Sequence, residues 1–328
     1  MKFSIITCTY NPNQDIFQRL LVSIENLIVN NNINFEWIVV DNNSKNPVQK
    51  QFSFNFKYSK VVIETKPGLT SARIAGAKEA KGDWLIFFDD DNEPKSDFII
   101  QLQKGIEKYP HVNCWGPGRI SVKFVGEEVS DWFKEHKHYF QERKEKTSYG
   151  SEKYMQPYYP IGTGLCITRD AMQDYIDKFD NGIYNVSDRT GSSLISGGDT
   201  QIVLNNQLLG NTAGKLEDLS LNHLIEARKA NFKYLIKQKY WTASSYIIVL
   251  KQVYSDFNVG TIDKKFSITD VIYLIKIFYH GVKVKNLDYQ SAYLEMCSAF
   301  GAINARYVAL NYPKNKLFQN VEKILISR

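Results

Sequence analysis

Residues Trp84–Asn92 read WLIFFDDDN, an apolar run that ends in three adjacent carboxylates. The apolar residues are typical of a buried β-strand. Three neighbouring carboxylates repel one another, so a fold keeps them together beside a cation or as a solvated acidic turn. Hard oxygen ligands favour Mg²⁺ or Mn²⁺. Because the acids follow a buried strand, the stretch favours a metal site over a plain acidic turn.

Upstream of this stretch, short apolar runs alternate with helical patterns. The runs Lys2–Thr7, Phe35–Val40 and Val61–Ile63 predict strands, and the segments 17–29 and 71–80 predict helices. This alternation predicts an α/β sheet flanked by helices. Three of the strands are followed by polar groups, at residues 9–11, 41–44 and 89–92. Ligands of open α/β sheets bind beyond the carboxyl ends of the strands, so a site is expected there.

Four segments resemble family 2 inverting glycosyltransferases, which have the A-type glycosyltransferase fold. In chain order they are Ser4–Asn11 (SIITCTYN), Glu36–Ser44 (EWIVVDNNS), Pro67–Gly76 (PGLTSARIAG) and the aspartate triplet. The resemblance covers roughly residues 1–230. It implies a Rossmann-like mixed sheet flanked by helices, followed by a C-terminal helical extension. It also implies transfer of a sugar from a nucleotide diphosphate to an acceptor hydroxyl, as in cell-surface polysaccharide or glycolipid synthesis.

The resemblance assigns the donor side of the site. Thr9 and Asp41 would line the base pocket, and Tyr10 could stack on the base. An Asp41 acceptor suits the N3–H of uracil, so UDP is favoured; the alternative is an Asx-turn cap made by Asp41. Arg73 would reach the diphosphate or brace the acids, unless it forms an ion pair on a helix surface. Other predicted substrate-binding residues are Asn11, Asp89 and Asp90.

The resemblance also assigns the acceptor and metal sides. Asp199 would be the general base that deprotonates the acceptor, with a plain helix N-cap as the alternative. The segment 159–164 looks like the acceptor-side strand, with the sugar near Gly162 and Gly164. Asp91 and His223 would hold Mn²⁺ or Mg²⁺, and Arg228 would steady the pyrophosphate. The chain departs from the family at Ile74, where Asn is frequent, and at Gly198, where an acid often precedes the base.

Other classes of protein fit less well. The sequence contains no GxGxxG dinucleotide loop, no Walker A sequence and no GxSxG elbow. The remaining alternatives are a nucleotidyltransferase and a non-catalytic binder of nucleotides or carbohydrates. Because the aromatic residues show no platform spacing near a basic stripe, we expect no nucleic-acid partner.

Charge is distributed unevenly along the chain. Residues 225–328 carry 16 Lys and Arg against 7 Asp and Glu, whereas the first 224 carry 25 against 28. We therefore divide the chain into a catalytic domain, 1–230, and a basic helical extension, 231–328. The extension could contact anionic lipid or a lipid-linked glycan acceptor, or it could simply be a solvated surface. With no 18-residue apolar run and four scattered cysteines, we expect a cytoplasmic protein, peripheral on the inner membrane face.

Overall fold

A computed structural model describes residues 1–29, 35–54, 57, 59–185, 197–262 and 264–326. These residues form two compact units, which divide at Arg228 and Lys229. The first contains the N-terminal described residues through Asn185 together with Gly198–Arg228, and the second contains the C-terminal helices. Separate roles for residues 1–230 and 231–328 remain a proposal.

The first unit is built on one mixed sheet. Its strands are β1 Phe3–Thr9, β2 Phe35–Asp41, β3 Ser59–Ile63, β4 Trp84–Asp89, β5 Asn92–Pro94, β6 Val112–Val125, β7 Arg143–Lys144, β8 Ser148–Gly150, β9 Leu165–Thr168 and β10 Thr212–Glu226. The strand order is β3-β2-β1-β4-β9-β6-β10-β5, with β7 on β6 and β8 on β10. Strands β1 to β4 are parallel, and β9 runs antiparallel to both β4 and β6.

Helices cover the sheet. In the first unit they are α1 Gln14–Val29, α2 Val48–Gln51, α3 Leu69–Glu79, α4 Phe98–Lys108, α5 Asp131–Glu135, α6 Arg169–Asp180 and α7 Gly198–Leu208, with 3₁₀ turns at Lys137–Phe140 and Ala227–Lys229. All seven residues of β1 are buried, as expected for a central parallel strand covered on both faces. The small residues of α3 permit close packing, since a Cβ on Gly76 would lie 2.5 Å from Ile6 Cγ2.

The second unit is helical in its described residues. It contains α8 Phe232–Val253, α9 Ile268–Lys283, α10 Tyr289–Ala309 and α11 Lys316–Ile326. Its core is aromatic: Phe300 packs against Tyr240, Phe266 and Phe318 with ring centroids 4.9–5.8 Å apart. No helix among the residues placed by the structure combines the length and apolarity needed to cross a bilayer.

Three local expectations were wrong. The stretch near 130–146, rich in Glu, Lys, His and Tyr, predicts a helix from its sequence, but it forms the short helix α5, a 3₁₀ turn and strand β7. The predicted acceptor-side strand is a loop through residue 164, and only Leu165–Thr168 is a strand. Helix α7 begins at Gly198, so Asp199 lies inside its first turn and is not its N-cap. Each of these elements is short, and pairing with distant strands fixes its conformation more than local propensity does.

Candidate active site

The carboxyl ends of β1, β2 and β4 meet at one edge of the sheet. Thr9 pairs with Asp41, and Cys8 pairs with Asp89, so all three ends lie at the same level. Across this edge, the Thr9 hydroxyl donates a hydrogen bond to Asp90 Oδ2 at 2.6 Å. The structure thus brings together two residues that the sequence places 81 positions apart.

The loop after β1 is tied to the loop after β2. The Asn11 N–H donates to Ser44 Oγ at 2.9 Å, and Asn11 Oδ1 accepts from the Lys45 N–H at 2.9 Å. Asn11 adopts a left-handed backbone (φ 48°), which asparagine tolerates better than most residues. Next to it, the Tyr10 ring is 59% exposed and accessible to a planar ligand.

Asp41 is buried and serves as a cap. Its Oδ1 accepts from the Ser44 N–H at 2.8 Å, and its Oδ2 accepts from the Val48 N–H at 3.0 Å. The first contact is the Asx-turn alternative, and the second caps the start of α2. Each carboxylate oxygen keeps a second lone pair. A contact between Asp41 and a nucleobase stays a prediction.

Asn42 is a positioning residue that the sequence analysis missed. Its amide nitrogen donates to the carbonyls of Glu64 and Lys66, and its oxygen accepts from the Gly68 N–H at 2.8 Å. These bonds hold the loop that leads into α3, the helix that carries Arg73. The only signal in the sequence was its place in a turn segment, which by itself does not reveal long-range partners.

Arg73 projects from α3 into the acid cluster. It is only 3% exposed, so the alternative of an ion pair on a helix surface is wrong. Its Nη2 lies 3.0 Å from Asp89 Oδ1. A guanidinium holds its charge and fixed geometry when buried, so it can brace a carboxylate and still present further donors.

Gly162 brings Arg73 and Asp199 together. Its N–H donates to Asp199 Oδ2 at 2.8 Å, while Asp199 Oδ1 accepts from the Thr200 N–H. A Cβ on Gly162 would lie 2.7 Å from Arg73 Nη2 and 3.0 Å from Asp199 Oδ2. A side chain at this position would therefore displace Arg73 or Asp199. The half-buried Asp199 carboxylate is held in place by backbone donors at the start of α7.

Asn92 shapes the acidic turn. Its Oδ1 accepts from the Asp89 N–H at 3.2 Å, and its Nδ2 donates to Asp91 Oδ1 at 3.0 Å. The Leu224 N–H donates to the Asp91 carbonyl at 2.8 Å, which fixes the turn against β10. This fully buried asparagine was not singled out from the sequence. In the sequence it stands beside three carboxylates, and nothing local indicates that its amide orders the turn.

His223 faces Asp91 across the sheet edge. The His223 Nε2 atom lies 3.4 Å from Asp91 Oδ1, and its Nδ1 lies 2.9 Å from the Phe140 carbonyl oxygen. Burial lowers the pKa of His223, but the charge of Asp91 and the hydrogen bonds outweigh this and raise the pKa overall. When protonated, Nε2 donates to Asp91; in the neutral ring, with Nδ1–H donating to the carbonyl, the Nε2 lone pair would be free for a metal ion, the usual arrangement of a metal-ligating histidine.

A divalent ion fits this pair only in part. Asp91 and His223 would supply two ligands, and across the described ranges no group of three or more His, Cys, Asp and Glu side chains is arranged to hold a metal ion. Mg²⁺ and Mn²⁺ commonly complete their shells with phosphate oxygens and water. A metal ion at this pair would therefore need further ligands from a phosphorylated substrate or water, and metal binding here stays a prediction.

Two predicted residues lie apart from these contacts. Gly164 adopts φ +70°, and a Cβ there would lie 2.7 Å from Pro117 Cγ, so its role in the structure is close packing. Arg228 makes two hydrogen bonds to Glu226, at 2.8 and 2.9 Å, and its side chain is 78% exposed. The Glu226 pair raises the pKa of Arg228. Contacts of either residue with a donor substrate stay predictions.

The sheet order and the acids that follow β4 define the class of the protein. A parallel half, β3-β2-β1-β4, continues through antiparallel β9 into β6 and β10, with helices on the sheet. This is an A-type glycosyltransferase fold, and the expected fold class is confirmed.

The chain belongs to glycosyl transferase family 2, whose model matches residues 4–175. This confirms the family expected from the sequence. The matched stretch includes Thr9, Asp41, Arg73 and the acid triplet. Asp199, His223 and Arg228 lie beyond it, so their roles rest on geometry and are proposals.

Known proteins resemble parts of the chain. An uncharacterized glycosyltransferase of Haemophilus influenzae is 35% identical over 34% of this chain and 36% of its own length. A dolichol-phosphate mannosyltransferase of Pyrococcus furiosus is 36% identical over 40% of this chain and 36% of its own. The chain thus spans about a third of each relative. Crystal structures of S. aureus TarS, one with UDP-GlcNAc, are 16% identical with TM-scores of 0.45 and 0.46, covering 95% of this chain and 91% of theirs.

Proposed function

We propose that this chain is an inverting glycosyltransferase that moves a sugar from a nucleotide diphosphate, UDP being favoured, to an acceptor hydroxyl. The product would belong to a cell-surface polysaccharide or a glycolipid. The observation that carries the proposal is the convergence of Arg73, Asp89, Gly162 and Asp199 at the carboxyl edge of the sheet. A cation for phosphate and a carboxylate for proton removal stand there side by side.

Asp199 acts as the general base. It takes the proton of the acceptor hydroxyl while that oxygen attacks the anomeric carbon. The bond between that carbon and the diphosphate oxygen breaks, and its electron pair leaves with the nucleoside diphosphate. A single displacement inverts the anomeric centre. Proton removal by a positioned carboxylate contributes roughly 10²–10⁴-fold in rate.

The donor lies along the edge of the sheet in this proposal. Tyr10 stacks on the base, which also meets Thr9 and Asp41. Arg73 contacts the diphosphate while bracing Asp89. The remaining donor contacts are assigned to Asn11, Asp90, Gly162, Gly164 and Arg228.

Asp91 and His223 hold Mn²⁺ or Mg²⁺ in the same proposal. When bound, the ion neutralises charge that develops on the departing diphosphate. The chain supplies two ligands, and the hydrogen bond between His223 and the Phe140 carbonyl keeps the ring in the orientation that binding requires.

Release of UDP from UDP-sugars, with and without Mn²⁺, tests the proposal. The full chain should hydrolyse or transfer a UDP-sugar slowly in Mn²⁺, and Asp199→Asn should lose this activity while keeping its thermal stability and UDP binding. Stabilisation by nucleotides without any turnover would instead indicate a non-catalytic binder. Pyrophosphate release from a nucleoside triphosphate and a sugar phosphate would indicate a nucleotidyltransferase. A chain that no nucleotide stabilises would end the proposal.

We further propose that the second unit meets the cytoplasmic face of an anionic membrane, where a lipid-linked glycan acceptor is present. Helix α9 leaves Ile272, Ile275 and Tyr279 exposed at 45–62%, and the chain from 225 onward is strongly basic. Exposed apolar side chains with nearby lysines are typical of helices at a lipid interface. The name of the archaeal relative, a dolichol-phosphate mannosyltransferase, is consistent with a lipid acceptor.

Vesicle flotation tests the membrane contact. The chain should float with phosphatidylglycerol vesicles at low salt, and less with phosphatidylcholine or in high salt. The triple variant Ile272→Ser, Ile275→Ser, Tyr279→Ser should stay in solution. Val308→Ser, which alters an equally exposed residue of α10, should float like the parent protein. Absence of flotation with anionic vesicles would refute the contact, and flotation insensitive to lipid charge and salt would refute its dependence on anionic lipid.

A further inference from the structure

Arg143 is a half-buried cation that the proposed reaction does not use. It lies on β7, where its backbone pairs with Ile120 of β6. Its Nε and Nη2 atoms are both buried, and within the described part of the chain neither has a hydrogen-bond partner. Burial lowers the pKa of Arg143 to about 10, and the charge of Glu145 only partly opposes this. A buried donor without a partner is destabilising, and more so when it is charged.

A second buried cation lies beside it. Lys215 is 4% exposed; its Nζ donates to Glu145 Oε2 at 2.7 Å and to the Pro157 carbonyl oxygen at 2.6 Å. Burial lowers the pKa of Lys215, the Glu145 hydrogen bond opposes this, and the nearby charge of Arg143 lowers it further. Two cations therefore share a single carboxylate. The cluster Arg143–Glu145–Lys215 therefore carries an excess positive charge, with Lys215 buried and the Glu145 side chain 39% exposed.

The cluster is attached to both halves of the site. The segment that carries Arg143 begins at Phe140, whose carbonyl orients His223. The segment held by Lys215 begins at Pro157 and continues to Gly162, whose N–H binds Asp199. The cluster is thus joined by short connections to the metal-ligand histidine and to the general base. Gly162 is in the segment assigned to the acceptor, so the cluster is connected along the chain to the acceptor side of the proposed site.

We propose that Arg143 and Lys215 bind an oxyanion carried by the acceptor, so that the enzyme selects acidic acceptors over neutral ones. The adjacent Nε–H and Nη2–H groups form a fork that matches two oxygens of a phosphate or a carboxylate. An oxyanion there would satisfy the buried donors and balance the second positive charge. The inference rests on the proposed glycosyltransferase function, whose acceptor it specifies.

Binding of small oxyanions to the full chain tests this, with UDP and Mn²⁺ present at saturation so that the donor site is filled. The probes are methyl phosphate, D-glucuronate and, as a neutral control, D-glucose. Methyl phosphate or glucuronate should raise the melting temperature and glucose should not; which anion does so distinguishes a phosphate-bearing acceptor from a uronic acid. Arg143→Met and Lys215→Met should each lower the affinity for the anion that binds by about tenfold or more.

Two further measurements separate this role from a structural one. Lys144→Met removes the same charge from an exposed neighbour and should bind the anion as the parent does. Arg143→Met should be as stable as the parent or more so, because it removes a buried charge that is incompletely compensated. UDP release in water by Lys144→Met should be unchanged. Equal anion affinity in Arg143→Met, or no affinity in the parent, would overturn the inference; absence of UDP release from the parent protein would instead count against the proposed function.

Discussion

Gly162 is where the site is most sensitive to one added atom. In Gly162→Ala the new methyl group would meet Arg73 Nη2 and Asp199 Oδ2, so one of the two side chains must move. We expect kcat to fall by about 10²-fold, since a shift of about 1 Å in a catalytic group has that effect. Stability should fall by only about 1–3 kcal/mol. Steady-state UDP release and urea unfolding measure the two effects.

Ile161→Val is the control, since it alters the neighbouring side chain without adding an atom to the site. It should keep kcat within about twofold of the parent, because conservative apolar substitutions of this size are usually tolerated. Full activity in Gly162→Ala would show that Arg73 and Asp199 need not meet at this glycine.

A second prediction at the scale of single residues concerns Asn92. Asn92→Ala removes the acceptor of the Asp89 N–H and the donor to Asp91. Unfolding free energy should fall by about 1–3 kcal/mol, because these groups lose their partners in a largely buried turn. Mn²⁺ affinity in the presence of UDP should weaken as Asp91 loses its orientation, as titration calorimetry would show.

The matched change Asn181→Ala removes an exposed asparagine whose amide bonds the Asp177 carbonyl. Its effect on unfolding should stay within about 0.5 kcal/mol, with Mn²⁺ affinity unaltered. If both alanine variants behaved alike, the acidic turn would not depend on the Asn92 amide.

The reactivity of the cysteine thiols measures whether the folded protein opens locally. All four are unpaired and buried, and burial raises the pKa of the Cys8, Cys114 and Cys166 thiols. A raised pKa means less thiolate, the reactive form, at any pH below it. Native protein at pH 8 should therefore resist a maleimide, while protein in denaturant takes up one label per cysteine. Mass spectrometry of both samples counts the labels. Rapid labelling of the native protein would contradict the burial of the four thiols.

At the scale of elements, the packing of α8 on α10 depends on a glycine. A Cβ on Gly301 would lie 2.3 Å from the Tyr240 carbonyl oxygen, which is backbone and cannot rotate away. Gly301→Ala should therefore separate the helices and lower the unfolding free energy by about 1–3 kcal/mol, despite the better helix propensity of alanine. Ala302→Ser, at the exposed neighbour, should change it by less than about 0.5 kcal/mol. Urea titration of both variants gives the comparison.

Strands and helices also differ in how clearly the local sequence predicts them. Strands β1, β2 and β4 are continuous apolar runs, and helix α1 buries one regular face, so both kinds were predicted. Strand β6 contains Gly116, Pro117 and Gly118, residues that usually interrupt strands, and was not predicted. In the structure, β10 shows a register shift after Leu216, the partner of Pro117, which accommodates the irregularity.

At the scale of the whole molecule, ligand binding should raise the free energy of unfolding. A ligand that binds only the folded chain adds about 2.7 kcal/mol at one hundred times its dissociation constant. We expect UDP with Mn²⁺ to raise the melting temperature more than UDP alone. Asp91→Asn should remove the additional increment from Mn²⁺ and keep the effect of UDP, and a thermal unfolding series gives both. An Mn²⁺ increment that survives in Asp91→Asn would exclude Asp91 as a ligand.

The sequence by itself determined the family, the α/β sheet, the acids at the end of β4 and the basic excess toward the C-terminus. These features are local in the chain, because the spacing of apolar residues, the apolar runs that form strands and the charge are all visible in neighbouring residues. Tertiary structure alone decided that Arg73 is buried against Asp89 and that the Gly162 N–H binds Asp199. It also decided that the buried Nε and Nη2 atoms of Arg143 have no hydrogen-bond partner among the described residues. Such contacts join residues far apart in sequence, and which polar groups meet is decided by packing of the whole sheet and its loops.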